Sequence, residues 1–437
     1  MNLSKILLMI LGVVVTSCYI FPFVLASFPL GNSKMILAVI GLIILGYNLY
    51  KRSDAAIDKG FLILSIWAII VSLIAGVSTL INNTHDYTYA FYFMSMWVWL
   101  GGAYAAVSLI RSIHGGVSVS LVANYLIAVC VAQCILALIF NAHPDAESWS
   151  ARTFTGEAFM GNTKEDRMHG IGCSLDVAGF RFASMLTMTA FLIYKFGRLG
   201  KTWNMWIYMA AFVFITIVGN MISRSTVIGS ALGLAFLVLV LIFQRGNTSA
   251  LKIVLIGIVI AVPVSVYLYN ANESFHDNLR FGFEGFFNYF ELGEWKTDSN
   301  DILKKMVVWP DNLKTWIIGD GYINNPLDKS LDSYDPYYTG PTFRGYYMGS
   351  DIGYVRFIFY FGIIGLLAFA LFFVKVCQIC TNRFPKYFCL FLMILALNFI
   401  GWSKVASDLF MVFAPFLCIS AKENEEYESQ FTELERT

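Results

Sequence analysis

The sequence predicts an all-α polytopic membrane protein of about twelve spans, with one large polar loop that contains short helices. Three observations lead there. The 437 residues are 58% hydrophobic and 14% charged, with a mean hydropathy of +0.66, whereas a soluble domain is roughly a quarter charged. Many apolar runs reach the roughly 20 residues that a helix needs to cross a bilayer. Inside lipid the backbone must hydrogen-bond to itself, so such runs are helices. A net charge of +1 leaves no global basic field, and no nucleic-acid partner is implied.

The runs fall at about 6–29, 34–50, 60–81, 88–110, 117–140, 177–196, 203–222, 226–243, 252–270, 352–374, 386–402 and 405–420. The first, after Lys5, continues to about Leu30 and is too long for a signal-peptide core. Lys and Arg concentrate in alternate short loops, at Lys51, Arg52, Lys59, Arg111, Lys195, Arg198, Lys201, Arg245, Lys252, Lys375, Arg383 and Lys386. The loops near 31–33 and 82–87 hold almost none. By the positive-inside rule both termini are then cytoplasmic. The chain divides into an N-terminal bundle (1–140), an outer loop with central spans (141–270), a large outer loop (271–351), C-terminal spans (352–420) and an acidic tail (421–437). The Glu-rich tail reads as a solvated, partly disordered end.

A loop as long as 271–351 should have structure of its own. Phe281, Phe283, Phe286, Phe287, Tyr289 and Phe290 suggest a helix in the interface plane. A second short helix at 301–309 is stopped by Pro310. Most of the eight Cys lie inside apolar runs, which excludes a disulfide framework, and the five His show no metal-ligand spacing. Cys377 and Cys380 form a lone CxxC at a helix end and read as small packing residues. No internal repeat of the kind found in many transporters is visible.

The cations that orientation does not explain lie toward the outer ends of spans. They are Arg181, Arg224 in a Ser-Arg-Ser turn, Arg356 about five residues inside the tenth span, and Lys404. Arg167 and His169 lie in the first outer loop, and Arg280 and Arg344 in the large one. Charge inside a span is a functional hypothesis by default. Guanidinium forks match phosphate oxygens two at a time and stay charged when desolvated. Cations at one depth on separate helices suit the pyrophosphate of a polyprenyl lipid, whose departure from a sugar C1 they would stabilise. Plainer readings stand beside this one. Arg181 as an interfacial arginine or a partner of Asp176, Lys404 and Asp408 as a mutually neutralising pair, and the aromatic stripe as interface packing all fit the same residues.

A base near those cations should be an acid or His. Asp351 at the start of the tenth span is best placed, and it also suits a helix N-terminus. Asp320 and Tyr322 in a Gly-Asp-Gly-Tyr turn come second. On an ideal helix Asp351 and Arg356 are about 140° apart and face different ways.

Three patterns then resemble a known family. They are Ser223-Arg224-Ser225, then Trp316-Ile317-Ile318-Gly319-Asp320-Gly321-Tyr322, and the 351–365 stretch ending Gly362-Ile363-Ile364-Gly365. Arg167-Met168-His169-Gly170 adds a weaker match. Over about 150–375 the chain resembles the O-antigen polymerase and ligase superfamily of bacterial membranes. Ligases of that family carry His at the place where this chain has Asp351, eleven residues before Gly362. The resemblance is therefore greater to a Wzy-type polymerase of O-antigen, capsule or exopolysaccharide than to a ligase.

The resemblance implies a GT-C-like glycosyltransferase in the bacterial cytoplasmic membrane, with no cofactor and no metal. Its partners would be an undecaprenyl-pyrophosphate-linked donor and acceptor, membrane lipids and a chain-length regulator. Arg224, Arg181, Arg356 and Arg167 would hold pyrophosphate. Asp351 would be catalytic, and Arg280, Asp320, Tyr322 and Arg344 would meet substrate from the loop. A ligase and a transporter or flippase of lipid-linked sugars are the competing functions.

Overall fold

The computed structural model describes residues 3–51, 58–155, 168–243, 248–322 and 350–434. Helix α1 (Leu3–Ile20) leads into a small antiparallel sheet of β1 (Val24–Leu25) and β2 (Phe28–Asn32). The bundle continues with α2 (Ser33–Lys51), α3 (Lys59–Ile81), α4 (Tyr92–His114) and α5 (Val119–Ala142). Short α6 (Pro144–Thr153) and β3 (Phe154–Thr155) follow, then α7 (Leu175–Arg198), α8 (Thr202–Ile222), α9 (Thr226–Phe243) and α10 (Thr248–Ala271). The large loop holds α11 (Glu273–Gly282), α12 (Glu284–Leu292), α13 (Asp298–Lys305) and α14 (Leu313–Ile318). The chain closes with α15 (Gly353–Arg383), α16 (Phe388–Gly401), α17 (Phe410–Leu417) and α18 (Ala421–Leu434). Among the described residues seven of these, α1 to α5, α8 and α15, are long and apolar enough to cross a membrane. The protein is thus an all-α membrane protein with a small sheet at one rim.

Several sequence expectations change. The first apolar run is a helix only to Ile20. Pro22 disfavours helix at the residue before it, and the chain turns into strands. Val24 pairs with both Asn32 and Thr155, so the sheet order is β2-β1-β3 and the hairpin ties the N-terminus to the first long loop. The last run is helical only over α17, because residues 402–409 form a non-helical connection. The aromatic stripe of the large loop is two helices, α11 and α12, broken at Phe283.

The tail is also different: α18 is a helix docked on the bundle. Glu423 takes both donors of the Arg111 fork, at 2.6 and 3.1 Å. Asn424 accepts from the backbone N–H of Val119, at 2.9 Å, satisfying a donor that the start of α5 leaves open. Glu428 accepts from Lys195 Nζ at 2.7 Å and from the Tyr387 hydroxyl. Isolated Glu-rich sequence has no reason to order. These contacts with α4, α5 and α7 supply one.

Close helix approach is made by small residues, as expected where lipid offers no hydrophobic drive. The α2–α4 contact is the tightest example: a Cβ on Gly41 would lie 1.8 Å from the Gly101 carbonyl oxygen. α7 packs between α8, α9, α5 and α16, and α15 packs on α3, α14 and α16. Around Trp402 a buried aromatic cluster of Phe357, Phe369 and Phe373 joins α15 to the end of α16.

Candidate functional site

The site is organised by a break in α15. Phe361 (φ −132°, ψ 17°) and Gly362 (φ 66°, ψ −173°) leave helical geometry inside the helix. Only glycine adopts that combination at Gly362 without strain. The break frees carbonyls that residues 363 and 364 would otherwise bond. The Gly-Asp-Gly turn takes them: Asp320 N–H donates to Phe359 O at 2.6 Å and Gly321 N–H to Tyr360 O at 2.9 Å. Ser78 Oγ adds a bond to Tyr360 O at 2.8 Å, from α3. In the other direction Asn82 and Thr84 donate to Gly319 O (3.0 Å) and Gly321 O (2.5 Å). The large loop is therefore plugged into the membrane helix.

Asp320 and Tyr322 belong to this joint. Asp320 is buried, and one carboxylate oxygen accepts from Lys314 Nζ and Thr315 Oγ, both at 2.7 Å. Tyr322 is fully buried against Met306, Ile352, Val355 and Phe359. Both side chains are buried, at 4% exposure for Asp320 and 0% for Tyr322.

Asp351 lies two residues before α15, whose N-cap residue is Ile352 and whose cap has no side-chain hydrogen bond. It is thus not a helix cap. Ser350 Oγ donates to Met306 O at 2.9 Å, fixing the approach to the helix. Arg356 Nε then reaches back to Ser350 O at 2.5 Å, and its Nη2 lies 3.2 Å from Asp351 Oδ1. The expected divergence of the two side chains is corrected: Asp351 is outside the helix, so helical rotation does not apply to it. Its side chain is 57% exposed.

Arg224 connects the turn between α8 and α9 to the large loop. Its Nε donates to Phe281 O at 3.0 Å, its Nη1 to Ser299 Oγ at 3.0 Å, and it pairs with Glu284 at 2.5 Å. The guanidinium sits 4.0 Å from the centre of the Phe281 ring. Arg280 likewise pairs with Glu291 and lies over Phe287. His169 is 3.6 Å from Glu147 and packs on Phe140. Arg167 and Arg344 lie outside the described residues.

Arg181 is buried near the start of α7, with its guanidinium 5.6 Å from the Phe21 ring centre. Its neighbour Phe180 packs on Gly401, bringing α7 against the 402–409 connection. Two residues that the sequence reading did not select share this corner. Lys34, in the first turn of α2, lies 4.4 Å from the Trp99 ring centre. Asp408 accepts from Tyr92 OH at 3.2 Å and from Phe410 N–H at 2.8 Å. Burial pushes its carboxyl up to about 6, against the lowering effects of those two bonds and of the Lys34 and Arg181 charges. Residues 402–409 are not helical, so the four-residue spacing of Lys404 and Asp408 does not stack them on a helix face.

The four cations expected to line one pocket stand in different local settings. Arg181 stands with Lys34 and Asp408, Arg356 with Asp351, and Arg224 with the loop helices, while Lys404 lies in the 402–409 connection. A usable signal for Asp408 existed: it is a lone acid in an otherwise apolar run. Among the described residues no group of three His, Cys, Asp or Glu is placed to hold a metal ion. No family model, curated protein or solved structure matches the chain.

Proposed function

We propose that the protein is a membrane glycosyltransferase that polymerises oligosaccharide repeat units carried on undecaprenyl pyrophosphate, at the outer face of a bacterial cytoplasmic membrane. The observation that carries this reading is the joint between the Gly-Asp-Gly turn and the Gly362 break. It unites two of the three segments on which the family resemblance rests. Arg224, in the third segment, holds α11 to α13 of the same loop.

In this reading the large loop covers the reacting centre. The acceptor hydroxyl oxygen forms a bond to the donor sugar C1, and the bond from C1 to the pyrophosphate oxygen breaks. The hydroxyl proton passes to a carboxylate at the rim. The leaving pyrophosphate takes the electron pair, and Arg181, Arg224, Arg356 and Arg167 stabilise its charge. Glu284 and Asp351 keep the Arg224 and Arg356 forks oriented until phosphate oxygens replace them. Asp351, exposed at the rim, meets the acceptor, and Arg280 and Arg344 act from the loop.

The test is incubation of purified protein in lipid or detergent with a lipid-linked repeat unit. A ladder of longer lipid-linked glycans is the expected product. Transfer to a lipid A-core acceptor would instead make the protein a ligase. Movement of intact lipid-linked sugar across a vesicle membrane without chain growth would make it a transporter.

A further inference from the structure

Resting on the polymerase reading, we propose that Asp408 is the proton acceptor for the attacking sugar hydroxyl, with Arg181 and Lys34 as the cations beside it. Asp408 is partly buried, in the connection between α16 and α17. Its carboxylate is held at both oxygens. Oδ1 accepts from Phe410 N–H and Oδ2 from Tyr92 OH, and each oxygen retains a further lone pair. Tyr92 is the first residue of α4, which places the carboxylate level with the rim.

The groups that act on Asp408 come from several elements. They are Lys34 of α2, Arg181 of α7, Tyr92 of α4, and Tyr89 and Tyr19 from the α3–α4 connection and α1. Arg181 is the arginine already placed on the departing pyrophosphate. Base and leaving-group cation therefore flank one corner, where a sugar C1 must lie between attacking oxygen and leaving oxygen. The proton of the acceptor hydroxyl goes to Asp408, the O–C1 bond forms, and the C1–O bond breaks with its electron pair leaving on pyrophosphate.

Asp351 is the weaker choice for this role. Its carboxylate is already engaged by Arg356, at 3.2 Å, and is 57% exposed. Asp408 is raised toward neutral pH, where a general base works best.

The experiment measures the initial rate of chain growth on a lipid-linked repeat unit from pH 5 to 9, for wild type, Asp408→Asn, Asp408→Glu and Asp351→Asn. Wild type is expected to lose rate as pH falls through about 6. Asp408→Asn should lower the rate by roughly 100-fold or more across the range. Asp408→Glu should restore part of it with the acid limb displaced, and Asp351→Asn should keep the limb where it is. Polymer from Asp408→Asn at near wild-type rate, or an acid limb unchanged in Asp408→Glu, overturns the proposal. If Asp408→Asn does not fold, the Glu variant's limb decides. A wild type that makes no polymer overturns the polymerase reading and this proposal together. An active wild type with an active Asp408→Asn overturns this proposal alone.

Discussion

Asp351 Oδ1 lies 3.2 Å from Arg356 Nη2 although the two residues are five apart and only one of them is helical. The pair exists because the chain before Gly353 is anchored elsewhere, through Ser350 to Met306, and Arg356 reaches back over the helix start. Arg356 is thereby turned back toward the start of α15. Arg356→Lys keeps the charge but loses the fork. It should reduce chain growth by about 10- to 100-fold, in an initial-rate assay, while changing thermal stability little, since a partly exposed pair contributes at most about 1 kcal/mol.

Arg224→Ala should abolish polymer while the protein stays in the membrane. It should also loosen the large loop, seen as faster limited proteolysis within 271–322. Glycan of wild-type length from this variant, measured on a gel of extracted polymer, would refute its assigned role. Glu284→Gln removes only the ion-pair charge and should leave the loop more protected than Arg224→Ala does.

Gly362→Ala should be strongly destabilising. Its φ is +66°, and an added Cβ would meet Ile317 O at 2.1 Å and Ile317 C at 2.2 Å. The backbone penalty is about 1–3 kcal/mol, and an overpacking cost of about 1–3 kcal/mol adds to it. A fall of several degrees in melting temperature in detergent is the expected result. A control at Gly46, where nothing lies within 4 Å of an added Cβ, should show no such fall.

Removal of α18 by truncation after Ser420 should lower thermal stability and expose the α4–α5 end to protease. Glu428→Gln alone should do part of this, because it leaves the Lys195 ammonium and Tyr387 hydroxyl without their carboxylate partner. Unchanged melting in both variants would show that the tail's docking contributes nothing to the fold.

Asp408→Asn has an opposite sign of effect on stability. A carboxyl raised to about 6 in the folded protein contributes stability at low pH that is lost as pH rises through that value. Above pH 6 the neutral amide removes the cost of a buried charge, so the variant should melt at or above the wild-type temperature there, and its advantage should disappear toward pH 4. A variant less stable than wild type at pH 8 would contradict the origin assigned to the shift.

Some of this was legible in the residues alone. Long apolar runs can only be helices in lipid, so α3, α4, α5 and α8 follow from hydropathy and length. The short helices of the large loop and the Ser-Arg-Ser turn between α8 and α9 also carry local signals, in stop residues and polar interruptions. What tertiary structure decided depends on partners distant in sequence. Gly362 departs from the helix because the 319–321 turn supplies donors for the carbonyls it frees. The run after Ile20 becomes a hairpin because Thr155 and its neighbour pair with it. The tail orders because Arg111, Val119 and Lys195 receive it. Asp408 has its high proton affinity because packing of α2, α4 and α7 takes it out of water. Local pattern reports what a segment tolerates. The partner that completes its hydrogen bonds or desolvates its charge is fixed only when the helices pack.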